Sequence, residues 1–241
     1  MRSHRFVACG SRYTRINRLQ LRCVSSVFNS SLLSIRRVDL QPTTKARKIL
    51  AKFNTKGTTM AESELLHYET MGDKQNPAVI IIHGLFGDGD NLKSLARDLE
   101  RDYFCVLPDA RNHGDSPHHD SMTYTEMADD IVALADALAL KKFSLVGHSM
   151  GGKIAMEVAM RYEERVQAAV FADIAPVAYP AHHNTILDAL AGLDLHQITS
   201  RTDADKQLSS VIKEKGVRQF LLKNLRKDGD HFAWRLNLTA I

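Results

Sequence analysis

The chain has 241 residues, of which 44% are hydrophobic, enough for one domain with a substantial core and an appendage. Its net charge of +4 is unevenly distributed, because residues 1–60 carry +12 and the remainder of the chain carries −8. The acidic remainder argues against nucleic acid as a partner of the folded part, and no apolar stretch approaches the length of a membrane span.

The first 60 residues have the composition of a targeting segment. They are rich in arginine and serine, contain one acidic residue, Asp39, and have only short apolar patches between the arginines. This composition is typical of a mitochondrial transit peptide, whereas a secretory signal needs a longer apolar stretch. We therefore predict a location in the mitochondrial matrix, where we also expect any protein partners. The alternative interpretation of residues 1–60 is a disordered basic tail.

After residue 60 the pattern predicts strands that alternate with helices. Ala78–Ile82 is a continuous apolar run of the kind found in a central parallel strand buried on both faces. Thr123 and Glu126 form a capping-box pattern that marks the start of a helix. The other predicted strands are Glu64–Tyr68, Tyr103–Leu107, Phe143–Val146 and Val166–Ala172, and the other predicted helices are Asn91–Leu99 and Met150–Tyr162. Such alternation indicates an α/β fold with a mostly parallel sheet.

The pattern changes near Tyr179. The segments Asn184–Leu195, Asp203–Lys215 and Val217–Leu225 have helical spacing and no strand between them, and Trp234–Leu238 is predicted to be a short extended piece. We expect residues 61–178 to form the core of the domain and residues 179–241 to form a helical cap over its ligand pocket.

The segment Gly147-His148-Ser149-Met150-Gly151 matches the G-x-S-x-G pattern of a nucleophile elbow. A predicted strand precedes it and a predicted helix follows it, as that turn requires. Glycine is needed on both sides of the serine because flanking side chains would collide in so sharp a turn. We predict that Ser149 is a catalytic nucleophile. The alternative is an ordinary glycine-rich connection between a strand and a helix.

Three further candidate residues, His83, Asp109 and Asp173, also follow predicted strands. Parallel sheets bind ligands at the carboxyl ends of their strands, so these residues and Ser149 are expected at one edge. Asp173 is the candidate catalytic acid, with a role in capping a helix or loop as its alternative. Asp109 is its rival, although bracing of the loop that contains Arg111 is the preferred interpretation. The backbone amides of Leu85 and Met150 are the expected oxyanion donors.

The sequence pattern does not identify a catalytic base. His83 is expected to hold its loop by hydrogen bonds, and His113 and His148 are expected to be structural. In hydrolases with a nucleophile elbow the order is serine, acid, histidine. The histidines after Asp173 are His182, His183, His196 and His231, and all lie in the predicted cap. We therefore expect the chain to lack the final core strands and the base.

No metal or organic cofactor is expected. The chain has three cysteines, two of them before residue 61 and the third, Cys105, in a predicted buried strand. This count does not provide a disulfide or metal framework.

The motifs that begin at His83, Asp109, Gly147 and Asp173 resemble those of α/β-hydrolases, more narrowly a group of mitochondrial and bacterial esterases and lipases. They are His83-Gly84-Leu85-Phe86-Gly87, Asp109-Ala110-Arg111-Asn112-His113-Gly114, Gly147-His148-Ser149-Met150-Gly151-Gly152 and Asp173-Ile174-Ala175-Pro176. The resemblance implies a serine esterase or lipase that acts on acyl esters, diacylglycerol among them, with its acid at Asp173. It also implies a histidine in a longer C-terminal region. The alternatives are a non-catalytic binding or regulatory protein and an acyltransferase with the same nucleophile.

Overall fold

A computed structural model describes residues 19–24, 38–40, 65–179 and 183–241. Its main sheet has seven strands in the order β2-β1-β7-β6-β4-β5-β3. The strands are β1 (Leu19–Val24), β2 (Val38–Leu40), β3 (Tyr68–Met71), β4 (Ala78–Ile82), β5 (Phe104–Pro108), β6 (Phe143–His148) and β7 (Val166–Ala172). The pairs among β1, β7, β6, β4 and β5 are parallel, and β2 and β3 are antiparallel at the two edges. The predicted α/β architecture is confirmed.

Two segments of the first 60 residues pair with this sheet, although the sequence analysis left that region outside the fold. Strand β1 runs parallel to β7, with Gln20 opposite Ala168 and Val24 opposite Ala172. This pairing gives β7 a hydrogen-bonded neighbour on the side away from β6, where it would otherwise present an open edge. The transit peptide stays a prediction.

Both faces of the sheet are covered by helices. The core helices are α1 (Lys93–Leu99), which follows a 3₁₀ turn at Gly89–Leu92, α2 (Tyr124–Ala137) and α3 (Met150–Arg161). Ile80 and Ile82 of β4 pack in a cluster with residues of α2 and α3, whereas Val79 and Ile81 pack with Ala96 of α1. Strand β4 is therefore buried on both faces, as its apolar run predicts.

Residues 183–241, which we call the cap after the predicted domain, contain more β-structure than the sequence pattern predicts. The elements of the cap are α4 (Asn184–Ala191), α5 (Arg201–Leu208), α6 (Lys215–Leu221), a 3₁₀ turn (Leu222–Asn224) and a hairpin of β8 (Leu225–Asp228) and β9 (His231–Trp234). The prediction of a helix through Leu225 and of extended structure only from Trp234 was wrong. Gly229 and Asp230 form the two-residue turn between the paired residues Asp228 and His231. Gly229 has φ of +57°, and glycine is favoured at the first position of a hairpin turn where φ is positive.

The predicted helix Asp203–Lys215 was also wrong in its bounds. The Ser200 hydroxyl accepts a bond from the Asp203 amide and so starts α5 at Arg201. The buried Arg218 guanidinium donates to the carbonyls of Ile212 and Lys213. Because the side chain of Arg218 provides hydrogen bonds to these two carbonyls, they do not require the backbone hydrogen bonds of a longer helix α5. The first predicted strand was misplaced as well, since β3 begins only at Tyr68.

In the part of the chain that the structure describes, none of the helices has both the length and the apolar character of a membrane span.

The capping box at the start of α2 provides a test of this fold. The Thr123 hydroxyl accepts a bond from the Glu126 amide, and the Glu126 carboxylate accepts one from the Thr123 amide. We expect Thr123→Ala to lower the free energy of unfolding by about 1 kcal/mol in urea titrations. Thr125→Ala is the matched control, because the exposed Thr125 hydroxyl donates to the Glu157 side chain and takes no part in the capping box. Equal effects of the two substitutions would contradict the capping role.

Candidate active site

Ser149 lies in a sharp turn between β6 and α3. Its φ of +51° and ψ of −115° place it outside the regions that ordinary residues adopt. Such a conformation costs on the order of 1–3 kcal/mol and persists only where its surroundings enforce it. Part of that enforcement is a 2.9 Å hydrogen bond from the Ser149 amide to the Ala172 carbonyl at the end of β7. The predicted strand–turn–helix arrangement is therefore present, and the serine is partly exposed.

Three glycines allow this turn to pack closely. A β-carbon at Gly147 would lie 2.1 Å from the Gly151 carbonyl oxygen, and one at Gly151 would lie 2.2 Å from the Ile82 carbonyl oxygen. A β-carbon at Gly152 would lie 2.4 Å from a methyl group of Ile174. The first two obstacles are main chain, which cannot move aside without displacing β4 or α3. Glycine is therefore required on both sides of the serine, as the motif predicts.

A second turn, Gly84–Gly87, lies beside the serine. A β-carbon added at Gly84 would be 3.4 Å from the Ser149 β-carbon. The Gly87 amide donates to the Gly84 carbonyl at 3.0 Å, and Phe86 has φ of +62°. In such a turn the amide of the second residue, here Leu85, is not used by the turn itself.

The Met150 amide is the other free donor near the serine, because Met150 is the first residue of α3. Among the described residues, neither this amide nor that of Leu85 has a hydrogen-bond acceptor in the protein. The two N–H groups that the sequence analysis selected therefore belong to segments that meet at Ser149.

Asp173 follows β7 directly and has φ of +55°. The register places Ala172 opposite His148, so Asp173 and Ser149 are neighbours along the sheet edge. The Asp173 side chain is 82% exposed, and its carboxylate lies 3.9 Å from the Nε2 atom of His148. Asp173 thus lies beside the elbow, next to an exposed imidazole from the residue before the serine.

His83 is buried and uses both ring nitrogens. Its Nε2 atom accepts from the Ala110 amide at 2.9 Å, and its Nδ1 atom donates to the Gly84 carbonyl at 2.8 Å. Burial lowers the pKa of His83, so the neutral ring is favoured. The ring ties the loop after β4 to the loop after β5, the loop-holding role expected from the sequence.

His113 packs beside His83, with the ring centroids 5.3 Å apart. Its Nδ1 atom donates to the Arg111 carbonyl, whereas its buried Nε2 atom has no partner among the described residues. Burial, reinforced by His83, lowers the pKa of His113 to about 3. His113 is therefore a neutral internal residue at physiological pH.

Asp109, the rival acid, is buried and braces loops. Its carboxylate accepts from the amides of Gly89 and Asp115 and lies 3.0 Å from His67 Nδ1. A β-carbon at Gly114 would lie 2.1 Å from the same carboxylate. Asp109 therefore holds the surrounding loops together, the preferred interpretation at the sequence level.

Arg111, in the loop after Asp109, forms a buried two-bond ion pair with Asp130 of α2. This pair fixes the loop against the helix. Arg111 is therefore engaged in structure, and its guanidinium is not available to bind a ligand.

The described residues do not show a catalytic base for Ser149. No histidine ring there is hydrogen-bonded to the Ser149 hydroxyl. His182 lies outside the described residues, and the ring of His183 meets Phe86 edge-on at 6.0 Å. His196 and His231 stack on each other within the cap, with ring centroids 5.4 Å apart.

One group of metal-binding side chains occurs among the described residues. Ligand atoms of His67, Asp109 and Asp115 lie within 4.8 Å of one another. Arg235 lies beside them, with its guanidinium 3.0 Å from the Asp115 carboxylate and 4.0 Å from that of Asp109. A guanidinium therefore already balances their charge, so the group does not fit a metal centre.

Two cap residues, Asn224 and Arg235, bond to core loops, and neither contact was predicted from the sequence. The Asn224 side chain donates to the Phe86 carbonyl at 2.8 Å, and Arg235 pairs with Asp88 at 3.0 Å. A cleft of about 660 Å³ lies between the 88–91 segment and the cap, and the serine does not line it. No local sequence pattern indicates these contacts, because their partners are more than 130 residues apart.

The comparisons with known proteins agree with this fold. The family model for the alpha/beta hydrolase fold matches residues 77–224. The chain therefore belongs to the alpha/beta hydrolase fold family, as the motifs predict.

Its relatives include esterases and a lipase. It is 44% identical to the sn-1-specific diacylglycerol lipase ABHD11 of Mus musculus over 70% of this chain and 58% of that protein. It is 39% identical to esterase YbfF of Escherichia coli over 69% of this chain and 64% of that protein. A solved structure of a marine microorganism esterase is similar at a TM-score of 0.70 and 36% identity, over 73% of this chain and 69% of that one. The chain thus spans about 58–64% of the curated relatives named here.

The packing at the elbow predicts a large difference between two glycine substitutions. Gly151→Ala forces a methyl group against the Ile82 carbonyl, and we expect it to reduce the free energy of unfolding by about 3 kcal/mol. Gly216→Ala, in helix α6, is the control, because a β-carbon there meets nothing within 4 Å. It should not destabilise the chain, because a helical position with open space accepts alanine. Similar denaturation midpoints for the two variants would refute the close approach of α3 to β4.

The buried histidines predict a dependence of stability on pH. The pKa of His113 is about 3 in the folded chain and near 6.5 when unfolded, so the unfolded state binds more protons between these values. Stability is therefore complete above pH 6.5 and decreases as the pH falls, by up to about 1.4 kcal/mol per pH unit for each such group. His113→Gln should reduce this slope between pH 5 and 6.5, and part of the slope should remain because burial also lowers the pKa of His83. Equal slopes in the wild type and His113→Gln would be contrary to the account.

Proposed function

We propose that the protein is a carboxylic ester hydrolase that forms an acyl-enzyme on Ser149. The observation that carries the proposal is the positive φ of Ser149 in a turn beside a second turn with an unused amide. A strained serine between a parallel strand and a helix N-terminus is the local geometry of a nucleophile elbow. Similarity to a lipase and to esterases supports the same class of reaction.

In the proposed reaction the Ser149 oxygen attacks the carbonyl carbon of an acyl ester. The carbonyl oxygen becomes an oxyanion, which the amides of Leu85 and Met150 stabilise by hydrogen bonds. The bond to the alcohol then breaks, the alcohol leaves with the proton that the Ser149 hydroxyl has lost, and the acyl group stays on Ser149. Water then hydrolyses the acyl-serine to the carboxylic acid and restores the Ser149 hydroxyl. Each oxyanion donor of this kind typically contributes on the order of 10²–10³ in rate. No cofactor takes part.

Asp173 is the proposed acid of the triad. It lies at the end of the strand next to the elbow, and the Ser149 amide is hydrogen-bonded to the residue before it. Its role would be to orient a histidine and stabilise the imidazolium that forms.

We expect hydrolysis by the 241-residue chain to be slow, since no described histidine is bonded to the serine. Without the base, catalysis by such sites falls to the roughly 10³–10⁴-fold enhancement that binding and the oxyanion hole supply. The same observation favours a second candidate function, a non-catalytic protein that binds acyl ligands in this site. The two functions differ in whether any hydrolysis depends on Ser149.

An acylglycerol, in particular diacylglycerol, is the proposed substrate, because the mouse relative is named for that activity. The arginine-rich first 60 residues support a mitochondrial location, where any protein partners would also lie. An acyltransferase with the same nucleophile would use an alcohol instead of water to release the acyl group. Analysis of products formed with an added alcohol distinguishes the two reactions.

Reaction with a fluorophosphonate tests the nucleophile. We expect the probe to label the wild-type chain at Ser149, as located by peptide mass spectrometry, and Ser149→Ala to abolish labelling. Ser210→Ala, an exposed serine of the cap, should label like the wild type. Hydrolysis of a p-nitrophenyl ester that disappears in Ser149→Ala would exclude the binding protein. Equal labelling of Ser149→Ala and the wild type would overturn the proposal.

A further inference from the structure

The open end of the β8–β9 hairpin, opposite its turn, contacts the loop that contains the Gly84–Gly87 turn. Asn224 and Arg235 flank this end and are joined by a 2.8 Å hydrogen bond from the Arg235 amide to the Asn224 carbonyl. Asn224 reaches the Phe86 carbonyl, and Arg235 reaches the Asp88 carboxylate. Two linked cap residues thus contact the same core loop two residues apart.

The Asn224 side chain is 2% exposed and is fixed by its surroundings. Its Nδ2 atom donates to the Phe86 carbonyl at 2.8 Å and to the Leu221 carbonyl at 3.2 Å. Because both partners are carbonyl oxygens, only the amide nitrogen can face them. The orientation of the side chain therefore follows from chemistry, and Phe86 gains a buried, directional partner.

The hydrogen bond from Asn224 to the Phe86 carbonyl fixes the orientation of one peptide plane in the turn. The peptide between Phe86 and Gly87 has its N–H bonded to the Gly84 carbonyl and its C=O bonded to Asn224. The Phe86 side chain is buried in the cap cluster with Leu190 and Leu221. Phe86 also has an unfavourable φ of +62°, a conformation that persists only when its contacts enforce it. The Leu85 N–H shares its peptide plane with the Gly84 carbonyl, which accepts from His83 in the core and from the Gly87 amide. The Gly87 amide belongs to the plane that Asn224 holds, so the orientation of the Leu85 amide depends on the cap as well as on His83.

We propose that Asn224 is a positioning residue for the ester hydrolase site. It holds the Gly84–Gly87 turn in the conformation in which the Leu85 amide can bind the oxyanion, and it touches neither substrate nor Ser149. The inference rests on the proposed function for its effect on reactivity. Its effect on the turn can be measured without any reaction.

Asn224→Leu is the test, because leucine is similar in size and cannot donate a hydrogen bond. The matched control is Asn237→Leu, since Asn237 also bonds the cap to the core, at His119 and Asn112, but does not contact the turn. Hydrogen–deuterium exchange of the 83–89 segment should become at least about tenfold faster in Asn224→Leu and stay unchanged in the control. Asn224→Ala, which requires less space, is the second variant.

Fluorophosphonate labelling measures the consequence for reactivity. We expect the limiting rate of labelling at Ser149 to fall about tenfold in Asn224→Leu, less than the loss of a complete oxyanion donor, with the half-saturating probe concentration unchanged. A merely structural loss would change both quantities and would appear in Asn237→Leu as well.

The outcomes separate this inference from the proposed function. A wild-type chain that is not labelled at Ser149 contradicts the proposed function, whereas the exchange rates still decide whether Asn224 holds the turn. Equal exchange in the wild type and Asn224→Leu overturns the inference, even if Ser149 is reactive. Unfolding of both Asn224 variants while Asn237→Leu stays folded also overturns it, since Asn224 would then support the whole fold.

Discussion

The close approach of main chain to main chain around Ser149 is the constraint on which the rest of the site depends. Carbonyl oxygens of Ile82 and Gly151 occupy the space that a β-carbon at Gly151 or Gly147 would need. Strands β4 and β6 and helix α3 can therefore meet only with glycine at these positions. Their closeness holds Ser149 at a positive φ, with its amide bonded to the neighbouring strand, and brings the second turn beside it. The reactivity that we propose for the serine follows from this backbone arrangement.

The loops around the elbow are held by buried polar groups that have defined partners. The neutral ring of His83 is hydrogen-bonded to two loops, and the Asp109 carboxylate accepts hydrogen bonds from the amides of Gly89 and Asp115. Buried polar networks of this kind stabilise a single arrangement only when their members are bonded. The cap adds a further restraint through Asn224 and Arg235. The site is thus assembled jointly by core loops and cap.

Much of the core could be predicted from local pattern, because its determinants are close in sequence. The apolar run Ala78–Ile82 is buried on both faces, Val166–Ala172 is a strand with the predicted bounds, and the capping box of Thr123 starts a helix. Strand ends in a parallel sheet share one edge, so His83, Asp109, Ser149 and Asp173 could also be placed together.

The cap could not be predicted equally well, because its structure depends on contacts between distant residues. Asn224 bonds to a residue 138 positions away, and Arg235 pairs with Asp88, which is 147 positions away. Neither contact leaves a periodic pattern in the sequence. The pairing of β1 with β7 is likewise long-range, joining residues 20–24 to residues 168–172.

A crystal structure of the chain after reaction with a fluorophosphonate tests the central claim most directly. The account predicts phosphorus bonded to the Ser149 oxygen and a phosphonyl oxygen about 3 Å from the amide nitrogens of both Leu85 and Met150. An adduct on Ser149 whose oxygen faces solvent, or an adduct on another residue, would contradict it.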